Sequence, residues 1–340
     1  MFRLVLFLSI FLFTSNSVSA DERFTLINEH SHEVPYYLNY ERTYSDGAYF
    51  FSEHLNPSDG LRSSSLVRID AVSGKRETLS DNRTYIWRPK FILPNYIVAG
   101  TSGLSVYDRD TVRLLGGKRL SESVSDAIVR DDILYLLQRN SNKKSYILSR
   151  FSLPGMRFIG EDTIGLEFNH QGARFYRGDI IGIQKKDCGR NARCRSLVKM
   201  SLEGKIKSAL EIEVKGNKRR CDVIKNTIKN VFIIGCNPYY LIIDVDKMDL
   251  IFEMENVERS NNYDFAISDN FIFVRRRNTY KSISEETAGV PVIILDRLTG
   301  VKMGEVALPP GKLRFIGNTL IVTSVDKHPT MLNVAVYSIR

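Results

Sequence analysis

The sequence predicts an all-β fold, a seven-bladed β-propeller with four-stranded antiparallel blades, on the strength of three observations. A segment made of an apolar strand, a short turn and a second strand recurs seven times along the chain. Successive copies follow at intervals of roughly 44 residues, a period typical of propeller blades. The seventh copy stops after its first strand, at Arg340, and so lacks a second strand of its own.

The seven copies supply the two outer strands of each blade, C and D. They begin at Leu66, Leu104, Ile147, Leu197, Leu241, Val292 and Asn333. Another apolar stretch precedes each copy and is predicted to be strand B. These stretches are Ala48–Glu53, Tyr96–Thr101, Ile133–Arg139, Asp179–Lys185, Asn230–Cys236, Asn270–Arg276 and Asn318–Ser324. Glycine, asparagine and aspartate precede strand B and tolerate the positive φ angles of tight hairpins, which predicts an innermost strand A before them.

Closure of the ring is predicted to use the N-terminal part of the chain. Arg23–Glu29 is the most economical source of the missing outer strand of the seventh blade. Pairing of this kind would join the two ends of the ring and remove an exposed sheet edge. The alternative is a frayed N-terminal segment and an open ring.

Residues Met1–Ala20 are predicted to be a secretory signal. Arg3 provides the charged start, Leu4–Phe13 is an uninterrupted apolar stretch, and small residues precede Asp21. A retained membrane anchor is the alternative interpretation, although the apolar stretch is short for a membrane span. We therefore expect a periplasmic or secreted protein, with residues 21–340 forming a single propeller domain and no transmembrane segment left after cleavage.

The four cysteines predict two disulfide bonds. An even number of cysteines in an exported protein favours bridges, and three pairings are possible. Cys221 and Cys236 are expected to lie opposite each other on neighbouring strands, close enough to bridge. Cys188 and Cys194 would then close a small loop. A zinc site is the competing interpretation, but the spacing contains no CxxC pair and no histidine is near in sequence.

Residues that could carry catalysis are scarce, and no metal site or cofactor is expected. His30 and His32 have the i, i+2 spacing that puts two side chains on one face of a strand, which is a weak metal signal. Four recurrent aspartates are better explained as turn residues that bind backbone amides: Asp70, Asp108, Asp244 and Asp296. The sequence has no nucleophile elbow, phosphate loop or zinc-protease helix. An enzymatic activity of the chain by itself is therefore left open.

Basic residues concentrate in the segments predicted to form one face of the ring, the B–C loops and the crossovers from strand D to the next strand A. The predicted partner-binding residues are Lys185, Lys186, Arg190, Arg193, Arg219, Arg220, Arg275, Arg276, Arg277 and Tyr280. A stiff basic face suits a protein or another anionic macromolecule. Nucleic acid is not expected, because no aromatic-plus-basic strand pattern is present. The alternative is that these cations only solubilise the loops, since Asp187, Glu285 and Glu286 lie there too.

The strand–Asp–turn–Gly–strand units resemble the YVTN/quinoprotein-type seven-bladed propellers. Within that group, Arg219–Val306 is similar to the large (heavy) subunit of methylamine and aromatic amine dehydrogenases. Two features carry the similarity: Cys221 and Cys236 bracket a hairpin, and a strand, a long charged loop and a DxxTG hairpin follow one another over Phe271–Val306. The resemblance implies an exported scaffold subunit whose quinone cofactor belongs to a separate small subunit.

This chain differs from that family in its formal net charge of +9 and in the loop bearing Cys188 and Cys194. No catalytic residue can be carried over by motif. The leading hypothesis is a non-catalytic exported propeller that binds a partner through its basic loop face. The alternative is the large subunit of a quinoprotein amine dehydrogenase-like periplasmic complex, and a propeller lactonase or other hydrolase is a third possibility.

Overall fold

The computed structural model describes most of the chain after residue 23. The described ranges are 24–34, 44–45, 47–54, 64–79, 89–100, 103–120, 123–140, 142, 145–166, 173–187, 193–212, 221–224, 230–236, 239–255, 263–276, 289–327 and 330–339. Regular structure in these ranges is all β, and no helix among them is long and apolar enough to cross a membrane.

The described residues contain twenty-eight strands, which form seven separate four-stranded sheets. The strand that opens the chain is β1 (Phe24–Glu33). Blades 1 to 3 contain β2 (Tyr44–Ser45), β3 (Ala48–His54), β4 (Ser64–Asp70), β5 (Arg76–Thr78), β6 (Pro89–Ile92), β7 (Tyr96–Ala99), β8 (Gly103–Asp108), β9 (Leu114–Arg119), β10 (Ser123–Arg130), β11 (Ile133–Asn140), β12 (Ser145–Ser152) and β13 (Arg157–Ile164). Blades 4 to 7 contain β14 (Ala173–Tyr176), β15 (Asp179–Asp187), β16 (Arg193–Met200), β17 (Ile206–Ile212), β18 (Cys221–Ile224), β19 (Val231–Cys236), β20 (Tyr239–Asp244), β21 (Asp249–Glu255), β22 (Tyr263–Ile267), β23 (Phe271–Arg276), β24 (Val290–Asp296), β25 (Lys302–Leu308), β26 (Lys312–Ile316), β27 (Thr319–Lys327) and β28 (Thr330–Ile339).

Within blades 1 to 6, consecutive strands are hydrogen-bonded neighbours in the order A, B, C, D. All of the pairings are antiparallel, as expected for strands joined by short turns. The predicted fold class, a seven-bladed β-propeller with four-stranded blades, is confirmed.

The seventh blade is completed by the N-terminal strand, as predicted. Its order is β1-β28-β27-β26, so β1 forms the outer strand beside β28. The pairing runs from Phe24 opposite Ile339 to Glu33 opposite Met331. Strand β1 therefore extends past the predicted end at Glu29, and the polar stretch His30–Glu33 belongs to the closing strand.

The hydrophobic core of the described residues lies between blades. Each of its seven clusters joins two neighbouring blades, one cluster at each boundary of the ring. At the closing boundary, Val334 and Ile321 of blade 7 pack with Val67 and Tyr49 of blade 1. Because each sheet buries both faces against its neighbours, no blade can retain this core alone.

The four recurrent aspartates close strand C and bind the turn that follows it. Asp296 Oδ1 accepts hydrogen bonds from the amides of Leu298 and Thr299 and from the Thr299 hydroxyl, at 2.7–3.0 Å. Asp70, Asp108 and Asp244 also accept amide bonds from the residues that follow them. The interpretation of these residues as turn formers is confirmed.

The outer strands of the blades carry a repeated irregularity. In six of the seven blades, the pairing of strands C and D shifts by one residue near the start of strand D, as a β-bulge does. In blade 3 the bulge turns two consecutive apolar residues outward, and Phe158 and Ile159 are 48% and 49% exposed. Bulges of this kind twist an edge strand and make it a poorer template for pairing with another chain.

Candidate functional site

The candidate site is the face of the ring that carries the B–C connections and the D–A crossovers. In a four-stranded meander, strands A and C run in one direction and strands B and D in the other. The A–B and C–D turns therefore lie together on the opposite face. The face with the B–C connections and D–A crossovers, on which the sequence predicts a concentration of basic residues, is here called the loop face.

On blade 4 the loop face is formed by a long hairpin. Strand B was predicted to end at Lys185 and strand C to begin at Leu197, but the strand ladder includes Lys186, Asp187 and Arg193 as well. Lys185 pairs with Arg195, Lys186 with Cys194, and Asp187 with Arg193. Only residues 188–192 separate the two strands, and the backbone positions of Lys185, Lys186 and Arg193 are set by the strand pairing.

Arg275 lies on a strand, as predicted for Asn270–Arg276, but it is buried and not exposed as its place among the partner-binding residues requires. It lies on β23, opposite Asp264 and Val292, and is 3% exposed. Its Nη1 atom donates a hydrogen bond of 2.6 Å to the carbonyl oxygen of Pro309. Pro309 belongs to the crossover that leads into blade 7, so Arg275 holds that crossover in place and is not part of the accessible surface.

The remaining predicted residues divide between strand ends and undescribed segments. Arg276 is the last residue of β23. Five of the predicted partner-binding residues lie outside the described residues: Arg190, Arg219, Arg220, Arg277 and Tyr280. Their part in the loop face remains a prediction from the sequence.

Two of the cysteines have the predicted backbone relation. The Cα atoms of Cys221 and Cys236 are register partners on β18 and β19, as cross-strand bridging requires. Cys194 lies on β16 opposite Lys186, and Cys188 is outside the described residues. Both bonds stay predictions. In the described part of the chain, no group of three or more His, Cys, Asp or Glu side chains could hold a metal ion.

Sequence reasoning missed a pair of aspartates that join the inner strands of neighbouring blades near the loop face. Asp126 Oδ2 accepts the amide hydrogen of Phe175 at 2.9 Å, and Asp264 Oδ2 accepts that of Leu313 at 2.7 Å. Donor and acceptor are 49 residues apart in both cases. This separation is close to the length of one blade repeat. An aspartate in one strand A with a partner one repeat later is the sequence signal by which the two links could have been found.

At the boundary of blades 3 and 4 the aspartate link is reinforced by Arg174. This side chain is 9% exposed, and its Nη1 atom donates to the carbonyl oxygen of Ser125 at 2.6 Å. Charge-assisted hydrogen bonds of this kind are stronger than bonds between neutral groups. The inner ends of blades 3 and 4 are therefore held together by two independent polar contacts, which stiffens the loop face at this point.

On strand A of blade 7, a lysine stands where blade 6 has Asp264. Lys312 pairs with Thr323, the fifth residue of β27, just as Asp264 pairs with Arg275, the fifth residue of β23. Burial and the nearby charge of Arg314 lower the pKa of Lys312 to about 8. The lowered pKa reflects a basic, partly desolvated position close to the loop face.

The opposite face carries ion pairs and a small crevice. Asp246 accepts a hydrogen bond from the Tyr176 hydroxyl at 3.1 Å and pairs with Arg177 at 2.9 Å, which ties blade 5 to blade 4. Burial and the bond to Asp246 raise the pKa of Tyr176 to about 12. A crevice of about 130 Å³ is lined by Ser268, Asp269, Asn270, Phe271, Phe315, Asn318 and Ile339. It is smaller than sites that hold drug-sized ligands.

No family model matches this sequence, and no curated protein is significantly similar to it. Solved structures of similar shape exist. BamB from Moraxella catarrhalis aligns with a TM-score of 0.50 and 10% identity, over 93% of this chain and 100% of that one. Hydrazine synthase from Kuenenia stuttgartiensis aligns with a TM-score of 0.51 and 11% identity, over 81% of this chain and 89% of that one.

A chain from the mitotic checkpoint complex gives a TM-score of 0.51 and 11% identity, over 100% of this chain and 99% of that one. At identities this low, likeness of structure reports the path of the backbone and nothing of the chemistry at a site. The chain is therefore similar to these proteins in fold, and the fold is a β-propeller.

Proposed function

We propose that this chain is an exported, non-catalytic β-propeller that binds a protein partner through the basic loop face. The observation that carries the proposal is the hairpin of blade 4. Lys185 and Lys186 on one strand and Arg193 on the other stand in paired register around the short connection that contains Arg190. Basic residues whose backbone positions are set by paired strands favour an acidic protein surface.

Two further considerations support a binding role. The described loop-face links, from Asp126, Asp264 and Arg275, bond to backbone atoms and so serve structure. One of the structures of similar fold comes from a multiprotein assembly, the mitotic checkpoint complex. Export rests on the apolar leader Met1–Ala20 alone.

The test is a matched pair of charge-reversal variants. In the first, Lys185, Lys186, Arg190 and Arg193 are changed to glutamate. In the control, four cations of the C–D turns on the opposite face are changed to glutamate: Lys75, Arg113, Lys205 and Lys247. Both sets carry the same change of charge, so a difference between them reports the face and not the net charge.

We expect native complexes recovered with the wild-type chain to persist with the control and to be lost with the loop-face variant, at unchanged melting temperatures. Equal recovery with both variants would refute the proposal. Loss of binding in both would show that net charge, and not this face, governs association.

A second candidate is the large subunit of a quinoprotein amine dehydrogenase-like complex. The register of Cys221 and Cys236 favours it, because the resemblance depends on that pair bracketing a hairpin. The purified native complex would then contain a small cysteine-rich subunit and reduce a dye in the presence of amines. A complex with neither property excludes this candidate.

A further inference from the structure

We propose that His30 and His32 form an acid-sensitive latch that holds the closing strand β1 against blade 1 and releases it when the imidazoles become protonated. The proposal is independent of what the loop face binds. It concerns how the ring is closed and under which conditions the closure holds.

The latch lies where β1 meets the C–D turn of blade 1. Asn28 Nδ2 donates to the carbonyl oxygen of Val72 at 2.7 Å, and His30 Nε2 lies 3.1 Å from the carbonyl oxygen of Ala71. The His30 ring also packs on Gly74, where a Cβ atom would lie 2.8 Å from its Cγ atom. The contact is therefore close, and much of it is polar.

Two other blade boundaries use apolar side chains for the corresponding contact with the turn glycine. Gly300 in the C–D turn of blade 6 packs on the ring of Phe252 of blade 5. Gly204 in blade 4 faces Ile164 of blade 3. The closing boundary thus has a titratable imidazole where these boundaries have a hydrocarbon, and hydrocarbon contacts do not respond to pH.

The two imidazoles form a chain of hydrogen bonds that requires neutral His30. Its Nε2 atom must carry hydrogen to donate to Ala71, which leaves Nδ1 with a free electron pair. His32 Nε2 lies 3.1 Å from that Nδ1 and donates to it. A proton added to His30 Nδ1 would place two N–H groups against each other and break this bond.

Burial and the surrounding charges outweigh the one contact that favours a protonated His32, a hydrogen bond to the Gly74 backbone. Burial, and then the charges of His30 and Arg76, hold the pKa of His32 below its usual value. On β1, Glu29 and Glu33 alternate with the histidines and so point to the opposite face of the strand.

The charged groups of the C–D turn of blade 1 also cannot stabilise protonated imidazoles, because they are either already hydrogen-bonded or positive. Asp70 is occupied by its own turn, accepting hydrogen bonds from Ser73 and Val72. Lys75 and Arg76 are cations. On the other side of β1, strand β28 presents the uncharged residues Leu332, Asn333 and Val334.

The sign of the pH effect follows from the lowered pKa of His32. A native state that prefers the neutral imidazole binds fewer protons than the unfolded chain, so its stability falls as pH drops below about 6.5. Strand β1 should accordingly be firmly paired at neutral pH and lose protection in mildly acidic solution, while the inner strands of the blades stay folded.

Hydrogen exchange of the full-length protein tests this at about pH 7.5 and about pH 5, where histidine changes charge. After correction for intrinsic exchange rates, we expect protection of Phe24–Glu33 to fall about tenfold or more in acid relative to β15 and β16. In the variant His30→Gln, His32→Gln, glutamine can still donate to Ala71 but does not titrate. Protection of β1 should then be the same at both pH values.

His54→Gln is the matched control, because it removes one histidine of blade 1 and leaves the pair intact; its acid response should match wild type. Wild-type protection that does not change with pH would overturn the proposal, as would an unchanged acid response in the double variant. If the double variant does not fold, NMR of the wild-type protein can instead follow the protonation of the two imidazoles as the pH is lowered. Loss of β1 protection while both rings remain neutral refutes the latch.

Discussion

Gly300 shows how tightly single residues are constrained at the blade boundaries. Its φ of +71° is a backbone conformation that residues with a side chain adopt with strain, and a Cβ atom there would lie 2.6 Å from the Phe252 ring. Gly155 has a φ of +90° but nothing within 4 Å of the Cβ position. A comparison of the two positions therefore distinguishes the cost of backbone strain from the cost of a steric clash.

We expect Gly300→Ala to lower the free energy of unfolding by about 2–4 kcal/mol, because it adds a clash to backbone strain. Gly155→Ala should cost only about 1 kcal/mol. Urea denaturation of both variants measures the difference. Equal losses would mean that the Phe252 ring moves aside at no cost.

Lys312 gives a pH-dependent prediction at the same scale. Its pKa of about 8 lies below the usual 10.5, so between these values the native state has released a proton that the unfolded chain keeps. The free energy of unfolding should therefore rise as pH increases from about 8 toward 10.5. Lys312→Met should reduce that rise, while Lys205→Met, a change at an exposed lysine, should retain it in chemical denaturation. An identical pH dependence in both variants would contradict the assignment.

At the scale of strands, the aspartate links between inner strands fix the spacing of neighbouring blades. Each carboxylate bonds a backbone amide of the next blade, at Phe175 and at Leu313. An inner-strand amide has few other partners, because strand A has a neighbouring strand on one side only. The links thus satisfy amides that would otherwise face the centre of the ring.

We expect Asp264→Ala to cost about 1–3 kcal/mol, since it leaves the Leu313 amide without its charged acceptor. Asp264→Asn keeps an acceptor oxygen and should cost less. Asp110→Asn, in an exposed turn, is the control and should be close to neutral in thermal denaturation. A full loss with asparagine would indicate that charge, and not hydrogen bonding, is what the link requires.

A strand could be predicted where residues close in sequence determine its geometry, and not where distant contacts do. The C–D hairpins were predictable, because an aspartate such as Asp296 and the turn after it determine their geometry within a few residues. The ends of β15 and β16 were not, since the ladder continues through charged residues that resemble a loop. Burial of Arg275 depends on a carbonyl oxygen 34 residues away, which no local pattern reveals.

For the whole molecule, the period of the repeat was sufficient to predict the number of blades and their closure. A single sheet cannot bury both faces, so seven like sheets predict a ring with a core at every boundary. The loop face could be predicted only as a concentration of charge. Which cations are accessible depends on packing between blades, and the sequence does not encode that locally.

Removal of residues 21–33 should open the ring. It deletes β1, exposes the edge of β28, and removes the contacts to Ala71 and Val72 across the closing boundary. We expect a marked drop in melting temperature and self-association through the free edge, detected by light scattering. Adding the segment as a separate peptide should partly restore the monomer. A deleted chain that stays monomeric at the wild-type melting temperature would show that closure contributes little.

Ser31 and Asn333 share a hydrogen bond although 302 positions separate them. Ribosomes synthesise β1 before β28, so the first strand can pair with its partner only after nearly the whole polypeptide has been made. Contacts that span so much chain form slowly. Folding should consequently end with the late pairing of β1 and β28. A nascent chain stalled before β28 would expose an unpaired N-terminal strand that can associate with other chains.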